Sequence, residues 1–174
     1  MKLSAIVIAF AASSTLGLAG CAQPSAEKPA PETETVEASK VGTTIAPDPR
    51  EVHFGELRML TDGGENAEAY FSFAGDKLIF QATRDGYPCD RIFTMNLDGS
   101  DPQMVSTGTG RTTCAYYYPG DDWIVYASTH EGGPECPPVP DHSRGYVWPL
   151  YDTYDLYRAR PDGSELTRLT DTPG

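Results

Sequence analysis

The sequence is poor in basic residues. Its 174 residues include 13 lysines and arginines against 25 aspartates and glutamates, a formal net charge of −12 at pH 7. Binding to nucleic acid requires a positively charged surface that neutralises phosphates, and adhesion to an anionic membrane through basic patches requires the same. The composition argues against both, and we expect no nucleic-acid partner.

Catalytic and metal-binding motifs are also missing. There is no Gly-x-Ser-x-Gly segment and no glycine-rich phosphate loop. No recognisable motif pairs Cys114 with a histidine. Five potential metal ligands have a spacing that matches no standard zinc site: His130, Glu131, Cys136, Asp141 and His142. We therefore predict a non-catalytic chain with neither cofactor nor metal.

A β-strand pattern is present and repeats. After the first 20 residues no stretch shows the 3.6-residue period of a helix. Instead, a tight turn and an apolar strand at 75–80 are followed by a second strand and an Asp-Gly-Ser turn at 91–100. The same order of elements returns at 121–126 and 155–164. A short strand ends each copy, and 58–61 is a lone copy of it.

The repeat spacing indicates propeller blades. From Leu60 to Val105 is 45 residues and from Val105 to Leu169 is 64, and units of about 45 residues with four short strands are typical of blades. Residues 70–73 and 116–118 are expected to be the first strands of the two units.

These units resemble the TolB-type repeats of the β-propeller superfamily, whose consensus runs aromatic-Ser-Pro-Asp-Gly-x-x-apolar-x-aromatic. Residues 71–80 occupy that frame without the Pro-Asp, and 117–126 occupy it with Pro-Gly-Asp instead of Pro-Asp-Gly. The resemblance covers about residues 56–174. It implies an all-β partial propeller with one leading outer strand and two four-stranded blades, at about 66–107 and 112–171.

Two blades are fewer than a closed ring contains, since propellers have about four to eight. We therefore expect residues 51–174 to be an incomplete propeller and the intact protein to continue with more Asp-Gly-Ser repeats. The outer faces of both blades are expected to expose Phe, Tyr and Ile side chains, which favours association.

The N-terminus has the build of a secretory signal. Lys2 precedes an apolar, small-residue stretch over 3–18 that is too short to favour a membrane span. Residues 18–21 (Leu-Ala-Gly-Cys) resemble the lipobox of bacterial lipoproteins. The resemblance implies cleavage after residue 20, lipidation of Cys21 and, with Ala22 next, the periplasmic face of the outer membrane.

Residues 21–50 have a different composition from the rest. Residues 22–50 contain five prolines and no aromatic residue, and such a segment buries too little apolar surface to offset the entropy of ordering it. We predict a disordered tether that holds the domain away from the bilayer.

The two units differ most between their second and third strands. The first spends eight residues there (83–90) and the second 26 (129–154), with five prolines. A long proline-stiffened connection is often functional. We predict that it forms a recognition surface for a protein or small ligand, with these candidates: His130, His142, Arg144, Tyr146, Trp148, Tyr151 and Tyr154. The alternative is that its aromatics cover the neighbouring blade.

Three cysteines remain besides Cys21. Cys89 and Cys136 lie in the second-to-third-strand loops, and Cys114 begins the intervening first strand. In an oxidising compartment we expect one disulfide and one remaining thiol. Pairing of Cys89 or Cys136 with Cys114 is favoured, without a choice between them.

These features indicate a lipid-anchored binding or assembly module of the cell envelope. Two alternatives stay open, because propellers serve many functions. The chain could be the leading part of a propeller-containing hydrolase or peptidase. It could also be a carbohydrate- or peptide-sensing receptor whose loop aromatics stack on the ligand.

Replacing Cys21 with Ser should release the protein into the soluble periplasmic fraction, because the acyl chains would have no thiol to join. Fractionation of cells that express the two forms measures this. A Cys21→Ser protein that stays with the membranes would show that another element anchors it.

Overall fold

The computed structural model describes residues 40–84 and 86–171. The predicted signal sequence, Cys21 and residues 22–39 of the predicted tether lie outside the described residues. Among those described, no helix has the length and apolar character to cross a membrane. The strands are β1 Thr44–Ile45, β2 Leu57–Arg58, β3 Glu65–Phe71, β4 Lys77–Thr83, β5 Arg91–Asn96, β6 Gln103–Met104, β7 Thr112–Tyr117, β8 Ile124–Ser128, β9 Asp155–Ala159 and β10 Thr167–Arg168.

The strands form two four-stranded antiparallel sheets and one two-stranded sheet. Sheet 1 has the order β3-β4-β5-β6, sheet 2 has the order β7-β8-β9-β10, and β1 pairs with β2. The predicted all-β fold with two equivalent four-stranded units is confirmed. Strand β3 begins at Glu65, earlier than expected, because its first residues are polar or small and exposed. They therefore lack the apolar alternation by which a strand is recognised.

Corresponding positions of the two sheets can be matched through their registers. Ile92 of β5 lies opposite Gln81 of β4, and Leu156 of β9 lies opposite Ala127 of β8. Adjacent residues of a strand point to opposite faces of the sheet. Ile92 in sheet 1 and Leu156 in sheet 2 therefore occupy the same place on equivalent faces.

Sheet 2 packs on sheet 1 through an apolar interface. Ile79 and Ile92 of sheet 1 are fully buried in one cluster with Ile124, Tyr126 and Tyr157 of sheet 2. The rings of Tyr126 and Tyr157 are stacked with their centroids 6.2 Å apart. This interface buries the apolar faces that neither sheet could leave in water, so it provides the core of the fold.

The expectation that both outer faces are exposed is wrong for the middle strands of sheet 1, although Phe71 of β3 is 67% exposed on that face. On its far face Phe80 and Phe93 are buried, with ring centroids 5.8 Å apart. Leu60, Leu97 and Met104 pack against this cluster and shield it from water.

Sheet 2 does expose its far face. Tyr116 and Leu156 are 43% and 44% exposed.

The predicted lone leading strand has a partner strand, which lies within the segment predicted to be a tether. Strand β2 contains Leu57 and Arg58, and its partner β1 contains Thr44 and Ile45. Residues 40–50 thus differ from the expected tether, because the exposed backbone edge of β2 supplies hydrogen-bond partners for them. The amide of Met59 also donates to the carbonyl of Thr43 at 3.0 Å.

The Asp-Gly-Ser turns join each sheet to the strand that precedes it. Gly99 and Gly163 both have φ near +84°, a conformation that glycine adopts without steric cost. A Cβ at Gly99 would lie 2.6 Å from the carbonyl oxygen of Leu60, and one at Gly163 would lie 2.7 Å from that of Val105. Leu60 therefore contacts the turn of sheet 1 in the same way as Val105 contacts the turn of sheet 2.

Replacing Ile92 with Ala should lower the free energy of unfolding by about 2–5 kcal/mol, because it leaves a cavity between the sheets. Ile92 is 0% exposed. Leu156→Ala removes an isomeric side chain from the equivalent place on the open face and should cost less than about 1 kcal/mol. Urea denaturation of the full chain measures both. Equal losses would mean that the interface is not the core.

Candidate functional site

The connections between the second and third strands of the two sheets, residues 83–90 and 129–154, leave the same end of neighbouring sheets. A disulfide joins them. Cys89 precedes β5, Cys136 precedes β9, and their Cα atoms are 6.1 Å apart in the disulfide. Cys114 is a free, exposed thiol. The expectation that Cys114 takes part is therefore wrong. Equivalent loops of adjacent sheets lie side by side, whereas Cys114 sits on a first strand with φ of +51°.

A buried arginine supports the base of the long loop, residues 129–154. Arg91 is 2% exposed, and its guanidinium donates to the carbonyls of Cys89, Asp90 and Gly110. Burial lowers the pKa of Arg91, and its charge lies 5.1 Å from the ring centre of Tyr87. The arginine thus ties the disulfide to the segment between the sheets.

The other end of the base is held by His130. Its Nδ1 lies 2.8 Å from Oγ of Ser128, and its ring is 4.3 Å from that of Tyr157. Burial lowers the pKa of His130, which favours the neutral imidazole. Ser128 is fully buried and therefore inaccessible to a substrate. The pair fixes the loop to the core.

Three predicted candidates come together at the loop tip, residues 142–150. The rings of His142 and Tyr146 are 5.6 Å apart, and those of Tyr146 and Trp148 are 6.2 Å apart, both edge to face. Tyr146 and Trp148 are 74% and 77% exposed. The three rings thus form a row at the tip of one loop, and its two larger rings are exposed to solvent.

The remaining candidates divide between tip and base. Arg144 is exposed beside the aromatic row. Tyr151 donates its hydroxyl hydrogen to the carbonyl of Pro138 and packs 6.1 Å from Tyr154. Burial raises the pKa of Tyr154 to about 12. Tyr151 and Tyr154 are thus half-buried and pack within the loop, unlike the exposed tip.

The potential metal ligands have other partners. Cys136 is in the disulfide, Glu131 accepts a hydrogen bond from Arg168, and the ring of His142 packs on Tyr146. Over residues 40–84 and 86–171, no three His, Cys, Asp or Glu side chains converge in a group that could hold a metal ion.

A cleft beside the loop base was not predicted. Arg168 of β10 forms ion pairs with Glu131 at 2.9 Å and with Asp155 at 2.6 Å. The cleft has a volume of about 250 Å³, and Asp152 and Asp171 also line it. These residues come from three distant segments, so no local pattern could reveal it.

The first strands carry a second unpredicted feature. β3 and β7 have a bulge at equivalent positions, where Glu68 and Cys114 have φ of +52° and +51°. Next to them the rings of Tyr70 and Tyr116 lie 4.2 Å apart, and hydrogen bonding to Tyr116 raises the pKa of Tyr70 to about 12. Partial desolvation raises the pKa of the Cys114 thiol, which disfavours the nucleophilic thiolate.

Comparisons with known proteins give a structural likeness only. No family model and no curated protein matches the chain. A structure assigned as TolB from Agrobacterium tumefaciens aligns at 24% identity and a TM-score of 0.46, over 66% of this chain and 34% of that one. TolB from Acinetobacter baumannii aligns at 20% identity and 0.46, over 67% and 24%. The chain thus spans about a third and a quarter of their lengths.

Replacing Cys89 and Cys136 together with Ser should lower the free energy of unfolding by about 2–4 kcal/mol, because the loop that this disulfide closes would be unconstrained in the unfolded state. Denaturation of the full chain measures the loss. Cys114→Ser is the matched control and should change it little. Non-reducing peptide mapping should link Cys89 to Cys136, and a link to Cys114 would contradict the structure.

Proposed function

We propose that the chain is a membrane-anchored binding or assembly module of the cell envelope, and that it binds a protein or small ligand through the loop tip. The exposed row of His142, Tyr146 and Trp148 carries the proposal. Aromatic side chains with exposed faces and edges supply much of the binding energy at interfaces, because they bury a large area and lose little conformational entropy.

The way in which the loop is held supports this role. The disulfide of Cys136 and the packing of His130 restrain the base at two points. A restrained loop loses less entropy on binding than a free one. The disulfide is also typical of proteins in oxidising compartments, in keeping with an envelope location and an anchor at Cys21.

The described chemistry favours binding over catalysis. Ser128, whose hydroxyl contacts the His130 ring, is fully buried. The Cys114 thiol has a raised pKa, so little nucleophilic thiolate is present at neutral pH. In the cleft, Glu131 and Asp155 are both ion-paired with Arg168. A module that presents a surface to a partner needs none of these groups to react.

A carbohydrate- or peptide-sensing role is the second candidate, and the exposed aromatic row favours its peptide version. Sugars and proline-rich peptides both pack on exposed Trp and Tyr rings. A screen of the full-length protein against glycan and peptide arrays therefore tests both versions.

Trp148→Ala should weaken binding of any ligand found in that screen by about tenfold or more, which corresponds to about 1.4 kcal/mol. Isothermal titration of the full chain without lipid measures the affinity. Phe73→Ala is the matched control, because Phe73 is a similarly exposed aromatic residue (65%) on the β3–β4 turn. Unchanged affinity in the Trp148 variant would contradict a binding role for the tip.

A further inference from the structure

The loop tip combines exposed apolar side chains with a lack of charge. The chain has 25 acidic residues in 174, yet residues 142–151 contain none. The seven residues from 145 to 151 (Gly-Tyr-Val-Trp-Pro-Leu-Tyr) carry no charge of either sign. A long exposed segment without charge in an acidic protein indicates a partner that is itself apolar or electrically neutral.

The tip exposes apolar side chains at neighbouring positions. Trp148 and Leu150 are 77% and 98% exposed, and Val147 between them is 45% exposed. A protein surface that contacts one side would leave the other apolar side chains in water. A medium that surrounds the tip covers all of them, and a bilayer is such a medium.

The arrangement of the rings does not suit a sugar. A sugar ring stacks on a flat aromatic face, and several such faces make a platform only when they are nearly coplanar. The planes of His142 and Tyr146 meet at 71°, and those of Tyr146 and Trp148 at 83°.

The backbone of the tip limits how deep it can go. Among the residues that the structure describes, none forms a backbone hydrogen bond with residues 146–150. In hydrocarbon each unpaired N–H or C=O costs several kcal/mol, whereas water and lipid headgroups can bond them in the interfacial region. Trp and Tyr are enriched at this depth because their rings are apolar and their N–H and O–H groups stay hydrated.

We propose that the loop tip inserts its Trp148 and Leu150 side chains into the headgroup region of a neutral phospholipid bilayer, as a membrane contact separate from the N-terminal anchor. This rests on the proposed function, in which the tip is the contact surface of a membrane-held module. Neutral lipids are favoured because the acidic chain repels an anionic surface. Two points of attachment would fix the orientation of the sheets relative to the bilayer.

The test uses the two tryptophans as reporters. Trp148 is at the tip. Trp123 directly precedes β8 of sheet 2, and the guanidinium carbons of Arg158 and Arg160 lie 4.2 and 3.8 Å from its ring centre. Full-length Trp123→Phe and Trp148→Phe variants leave one reporter each. Each variant is incorporated into phosphatidylcholine vesicles that carry bromine near the headgroups or near the bilayer centre.

We expect emission from Trp148 to shift to shorter wavelength and to be quenched by the shallow bromines more than by the deep ones, while Trp123 shows neither effect. Leu150→Glu should abolish both effects, since a carboxylate resists transfer out of water. Val52→Glu is the matched control, because Val52 is 83% exposed but lies outside the loop, and it should leave the quenching unchanged.

Trp148 emission that is the same with and without vesicles would overturn insertion. So would quenching of Trp148 that survives Leu150→Glu. The lipid-free titration separates this inference from the proposed function. If tip variants lose a soluble ligand and Trp148 is not quenched, only insertion fails. If no soluble ligand depends on the tip and Trp148 is quenched, the bilayer is the partner of the tip.

Discussion

The packing of sheet 2 on sheet 1 is the interaction on which the rest of the structure depends. It places Ile79 and Ile92 against Tyr126 and Tyr157 and removes all four side chains from water. It also aligns the two sheets, so that equivalent loops leave at the same end. The disulfide, the buried Arg91 and the restrained base of the long loop all follow from that alignment. The exposed tip is therefore a product of core packing, although it lies outside the core.

The strands could be predicted because their patterns are local. The apolar run of each of the strands β4, β5 and β8 spans only a few consecutive residues. The same is true of the Asp-Gly turns at Gly99 and Gly163. The sequence did not reveal how the edge of β2 and the far face of sheet 1 are covered. The pairing of β1 with β2 and the burial of Phe93 beneath Leu60 depend on contacts between separate segments. No sequence pattern indicates which of these segments meet.

The loop candidates followed from composition alone, and the structure divides them into two groups. Proline and aromatic content marked the whole segment, but composition could not show that Tyr151 and Tyr154 pack inward while Tyr146 and Trp148 stand in solvent. The partner of Cys89 was mispredicted because the choice depends on which loops are neighbours. The cleft around Arg168 lies beyond any local pattern for the same reason.

The two Asp-Gly-Ser turns show how a repeat can change its sequence and keep its geometry. Gly99 rests on the carbonyl oxygen of Leu60, and Gly163 rests on that of Val105. The contact is made to a backbone atom that every residue type carries, so it does not itself restrict the side chains at 60 and 105, which are Leu and Val here. The glycine has no such freedom, since any side chain would collide with that oxygen. The contact between turn and carbonyl thus allows the residue that supplies the carbonyl to change between repeats, but it requires glycine in the turn.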